Sequence, residues 1–175
     1  LASGDAIRTA ELVEKSRPAV LNSDRWFVLE KWLSMLPGHL IQRRPDLLLA
    51  AAWVRYHHFD IAGIPPLIDA AVALLSDSRE DRSLKGEIDF FRCYIYYFQN
   101  EGKLSLKHLD DTRKHMAETN HEARGQIEIL HGLARQMLGQ KEAALNTLKE
   151  VLTYARWTEG IARTRLLATF VYINI

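Results

Sequence analysis

The spacing between apolar residues constrains this chain more than any motif in it. Apolar positions recur at three- and four-residue steps almost from end to end, whereas alternating strand-like runs flanked by Asn-Gly or Asp-Gly turns are absent. The pattern predicts helices over about residues 4–15, 23–36, 47–57, 67–75, 84–99, 105–119, 122–138 and 141–158, and a last one from Gly160 to Ile175. Ile7, Ala10, Leu12 and Val13 are the inward stripe expected of the first, and Pro18 is expected to interrupt or restart it. Ser23-Asp24 is expected to cap the second helix, which Pro37-Gly38 ends. Pro45 suits the first turn ahead of Leu47–His57. The polar stretch Ser76–Ser83 reads as an exposed connection.

The later links, Asn100–Gly102, Thr119-Asn120 and Gly139-Gln140, are so short that consecutive helices must fold back as antiparallel neighbours. Turns at Asp60–Gly63, Asn100–Gly102 and Gly139-Gln140 lie about 40 and 38 residues apart, a period that suits helical-pair arrays. Gly132, Gly139, Ala144, Leu148 and Val151 fall at offsets resembling the small, turn, small and large positions of a tetratricopeptide motif. His131 and Arg135 depart from it, standing where a large apolar and an aromatic residue belong. The expected fold is all-α, a right-handed superhelix of antiparallel helical hairpins (a tetratricopeptide-like solenoid), with residues 1–175 as a single repeat domain. The first helix of each pair would then line a concave face.

Composition excludes several classes of partner. Twenty-three Lys and Arg against twenty-two Asp and Glu leave a formal charge of +1, so no global field draws the chain to nucleic acid or to an anionic membrane. The clusters Arg43-Arg44 and Arg156, Arg163 and Arg165 are expected to be solvated. The apolar runs Leu47–Val54 and Ala70–Leu75 fall short of the roughly 20 residues of a membrane span. A lone cysteine, Cys93, forms no internal disulfide and fits a reducing cytoplasm. The chain opens at Leu1 and closes at Ile175 within an apolar run, which reads as a fragment of a longer polypeptide. The stripe Leu166, Leu167, Phe170, Val171 and Ile173 is expected to need cover from a further repeat or a second copy.

No pattern announces catalysis, and neither a cofactor nor a metal is expected. His108 and His115 are two turns apart with Asp111 between them, but such a set needs further ligands from another helix. Cys93 sits among aromatic residues, where a thiol behaves as a small hydrophobe. The adjacent acids Asp110-Asp111 and Glu80-Asp81 diverge on a helix. Asp89–Gln99 is richer in information, because six of its eleven residues are aromatic and one stripe cannot hold them all. Tyr94 and Tyr97 are the candidates for a binding groove, and Arg135, on the first helix of the last complete pair, is the candidate partner of an anionic ligand.

The first third carries a recognisable string: Gly4-Asp5, Leu12-Val13, Trp32-Leu33-Ser34-Met35-Leu36-Pro37, Arg44-Pro45-Asp46-Leu47 and Ala52-Trp53. It resembles the start of the helical-repeat region of the MalT-like group of large ATP-dependent LuxR-type transcriptional regulators. The resemblance implies a sensor segment that binds an inducer small molecule or a regulatory protein. It also implies NTPase and DNA-binding domains elsewhere in the full protein. No phosphate-loop sequence and no DNA-reading domain occurs in these residues, so no direct nucleic-acid contact is assigned to them. The alternatives are a tetratricopeptide-like peptide-binding adaptor unrelated to transcription and, from another class, a small hydrolase or metal enzyme.

Overall fold

A computed structural model describes residues 3–76, 79–154 and 160–175. Among them are ten α-helices and no strand. In order these are α1 Ser3–Asn22, α2 Trp26–Met35, α3 Gly38–Ile41, α4 Pro45–His57, α5 Pro65–Leu74, α6 Arg79–Phe98, α7 Gly102–His115, α8 His121–Met137, α9 Lys141–Tyr154 and α10 Gly160–Asn174. A 3-10 turn, Ile61–Gly63, precedes α5. No described helix is long and apolar enough to cross a membrane. The chain divides into two compact units, Leu1–Ile88 and Asp89–Ile175, with the boundary inside α6.

Several local expectations are corrected. Pro18 lies inside α1, which continues to Asn22 with Leu21 fully buried in its last turn. Ser23-Asp24 closes α1 rather than capping α2: the Ser23 hydroxyl donates back to the carbonyls of Ala19 and Val20, and Asp24 takes a left-handed φ of 57°. α6 begins at Arg79, inside the stretch expected to be a connection, of which Asp77 and Ser78 lie outside the described residues. In α1, Ala10 and Val13 are buried while Ile7 and Leu12 face outward.

Four helices end in the same way. The left-handed residues Asp24, Phe59, Asn100 and Gly139 follow α1, α4, α6 and α8. In each case the next amide bonds a carbonyl five residues back: Arg25 to Val20, Asp60 to Arg55, Glu101 to Tyr96 and Gln140 to Arg135, at 2.9–3.0 Å. The left-handed residue itself donates three residues back, to Leu21, Tyr56, Tyr97 and Gln136. This is the Schellman arrangement, which satisfies terminal carbonyls and turns the chain sharply into the next helix.

In the first unit α4 is the central element, packing on α1, α2 and α5. Leu47, Leu48, Leu49, Ala50, Ala52 and Trp53 are all buried, so the helix is apolar around most of its circumference. Within this core Arg17 of α1 donates to Glu87 of α6 at 2.6 Å and to Asp46 of α4 at 3.0 Å, and the indole of Trp53 donates to the same Glu87 oxygen at 2.7 Å. Burial alone would lower the Arg17 pKa, but Glu87 and then Asp46 reverse this and hold it raised. In the second unit α8 is central, packing on α7, α9 and α10. Leu166 and Ile173 of α10 are buried with Ala144 and Leu148 of α9, so these two members of the expected exposed stripe are covered by their own unit. Gly132 of α8 permits the approach: a Cβ there would stand 3.1 Å from Leu148 Cδ1 and 3.3 Å from Ile173 Cδ1.

Candidate ligand cleft

The aromatic helix α6 separates its residues by function. Phe90, Phe91, Cys93 and Tyr94 are buried. Phe90 and Tyr94 pack at 6.3 Å between ring centroids, and Tyr94 meets Phe98 edge-on at 4.8 Å. Burial pushes the Tyr94 phenol up to about 12 and the Cys93 thiol up to about 11. The thiol lies 3.6 Å from the Thr112 hydroxyl and bonds no basic side chain among the described residues, which suits packing rather than attack.

A third stripe of α6, Asp89, Arg92 and Tyr96, repeats at helical spacing and escapes those aromatic contacts. It faces His108, Asp111, Thr112 and His115 of α7 across a cleft of about 570 Å³. The Tyr96 and His108 rings stand 5.9 Å apart at one end. Arg92 bonds Asp89 at 3.3 Å, and Lys114 holds Asp111 at 3.0 Å. Lys114 beside it, with smaller contributions from His115 and His108, lowers the Asp111 pKa. The floor is fixed from within: Thr112 donates to the His108 carbonyl at 2.9 Å and Ser105 to that of Cys93 at 2.9 Å. The lining combines both charge signs, imidazoles and a phenol, a donor and acceptor set suited to a small polar ligand.

The three expected groove residues occupy different settings. Tyr94 lies in the core at 6% exposure. Tyr97 is half-buried, its ring 5.3 Å from Phe98, and burial and then Tyr172 raise its pKa. Arg135 lies on the side of α8 that carries His131, donating to His131 Nδ1 at 3.3 Å and to Gln140 Oε1 at 3.4 Å. His131 in turn stands 3.4 Å from Asp110 of α7, and Arg113 of α7 bonds the buried Glu128 of α8, so this side of the helix meets α7. Burial, then Arg113 and Arg135, push the His131 imidazole down to about 4. A second buried carboxylate, Glu122, is held by Arg165 of α10 and by Gln126. Arg156 of the expected basic cluster lies outside the described residues.

Reading α6 for its aromatic residues hides the stripe opposite them. The interval Asp89, Arg92, Tyr96 was the available signal, and only the antiparallel pairing with α7 sets it against the two histidines. Comparison with protein-family models, with curated proteins and with solved structures finds no match.

Proposed function

We propose that this chain is a noncatalytic sensor and interaction segment built on tetratricopeptide-like helical hairpins. The observation that supports it is the recurrence of one helix ending, at Asp24, Phe59, Asn100 and Gly139, spaced 35, 41 and 39 residues apart. A repeated hairpin scaffold presents surface clefts without moving its core, which suits recognition better than chemistry. The cleft between α6 and α7 is then the place for an inducer, and ligand binding would act by favouring one arrangement of the hairpins. The string from Gly4 to Trp53 supports the further reading of a MalT-like, LuxR-type regulator, acting in the cytoplasm on NTPase and DNA-binding domains in the same polypeptide.

Thermal melting of the chain against a metabolite panel tests the sensor reading. A saturable rise in melting temperature, reduced by Tyr96→Ala, is the expected result. A panel without a shift removes the small-molecule inducer and leaves a protein partner. The flanking coding sequence separates regulator from adaptor, since a phosphate-loop domain on one side and a helix-turn-helix on the other belong only to the first.

A further inference from the structure

On α1 the residues Thr9, Leu12, Val13 and Ser16 recur at helical spacing, and with Trp32 and Met35 of α2 they line a cleft of about 330 Å³ in the first unit. No charged side chain lines it. Val13 is buried, while Leu12 and Met35 are each more than half exposed, so large apolar side chains stand in water around the opening. Thr9 donates to the carbonyl four residues back at 2.6 Å, as Thr147 and Thr153 of α9 do at 3.0 and 2.7 Å. Ser16 makes no such bond, and neither it nor the half-buried Trp32 indole is hydrogen-bonded to another described residue. An indole N–H withdrawn from water ordinarily finds an acceptor. Size narrows what could supply one. A single turn of α-helix, about 10–12 Å across and about 5.4 Å long, fills roughly 400–600 Å³, so a docked helix is too large for the cleft and a small molecule is not.

We propose that this cleft binds a small uncharged molecule, mainly apolar, that carries a hydrogen-bond acceptor such as a ketone or ether oxygen, met by the Ser16 hydroxyl and the Trp32 N–H. The apolar part of such a ligand takes Leu12, Val13, Trp32 and Met35 out of water together, which supplies most of the affinity. A charged ligand is disfavoured, because no lining group compensates the hydration it would lose. The Thr9 proton is already committed to the Asp5 carbonyl, so that hydroxyl offers lone pairs and no second donor. The cleft lies within the first unit and the polar cleft between α6 and α7 within the second, so the inference does not depend on the sensor reading.

Calorimetric titration of the chain with octan-2-one, a neutral ketone small enough for the cleft, tests it. The expected result is saturable uptake of one molecule with a dissociation constant of about 10–100 μM. Octanoate, of equal chain length but charged, should bind about tenfold more weakly or not at all. Leu12→Asp and Met35→Asp should each weaken uptake of the ketone about tenfold or more, and Ser16→Ala about three- to tenfold through the lost hydrogen bond. Leu167→Asp, which places the same charge on an exposed apolar position of α10, should leave uptake unchanged. None of these substituted side chains is buried, and circular dichroism checks that each variant keeps its helices. Absence of saturable uptake, octanoate bound as tightly as the ketone, uptake undiminished by Leu12→Asp, Met35→Asp or Ser16→Ala, or uptake reduced as much by Leu167→Asp would each overturn the assignment.

Discussion

The ion cluster in the first unit offers the sharpest test of what holds that unit together. Glu87 has a side chain 2% exposed and neutralises Arg17, whose side chain is 4% exposed. Glu87→Gln keeps the shape and leaves an oxygen to accept from Trp53, but it removes the charge that compensates the guanidinium. Breaking a buried pair from one side costs about 3–5 kcal/mol when nothing else compensates the remaining ion. Here Asp46, at 34% exposure, still lies 3.0 Å from Arg17, so screened compensation survives and the expected loss is about 2–3 kcal/mol. Three of the four tryptophans, Trp26, Trp32 and Trp53, lie in the first unit, so urea unfolding followed by tryptophan fluorescence reports mainly on it. With a slope of about 1–3 kcal/mol per molar urea, the midpoint should fall by about 0.7–3 M. The double variant Arg17→Met with Glu87→Gln removes both charges while keeping an oxygen for the Trp53 indole, and should recover most of the loss. A single-variant cost under about 0.5 kcal/mol, or a double variant no better than the single, would refute the reasoning.

Three further outcomes follow from the packing and the turns. Phe59 is 76% exposed and holds a left-handed backbone that a bulky residue adopts only at a cost, so Phe59→Gly should stabilise by about 0.5–1 kcal/mol in chemical denaturation. Gly132→Val should destabilise by about 1–3 kcal/mol, because its branched side chain must displace Leu148 and Ile173 and the helix-propensity gain over glycine is smaller than that. His131 supplies a pH dependence. Its folded pKa of about 4 lies below the ordinary imidazole value of 6.5, so between these values the unfolded chain binds more protons and stability rises with pH. Its contribution is present above about pH 6.5 and is lost as pH falls towards 4. After a discount for residual solvation it amounts to about 2–3 kcal/mol. Burial raises the Glu128 pKa, a shift that acts in the opposite sense, so the comparison to make is wild type against His131→Leu in urea melts across that window, where the variant should lose the rise in stability with pH that His131 contributes.

The helices were legible in the sequence because their signals are local. Apolar spacing, Pro45 at a first turn and Gly139 at a left-handed position all act within a few residues, and helix hydrogen bonds close over four. The misplaced boundaries arose where two local signals compete. Ser23-Asp24 can cap a helix or close one, and its hydroxyl closes α1 because the carbonyls of Ala19 and Val20 lie within reach. The polar run after Leu75 carries few apolar residues, yet it contains the start of α6.

Burial and partnership were decided by tertiary structure. Arg17 and Glu87 are 70 residues apart, and nothing in either neighbourhood marks them as a pair. The aromatic wealth of α6 drew attention to Tyr94, which the core absorbs, while the polar stripe on the same helix lines the cleft with α7. By itself the sequence determined that this chain is helical, where most of its turns fall and that consecutive helices joined by short links lie side by side; that α8 packs on α10, and α4 on α1 and α2, was left to the tertiary structure. Which of several equally periodic faces turns inward was settled only by the helices packed against it, because a side chain is buried by what covers it and not by its own periodicity.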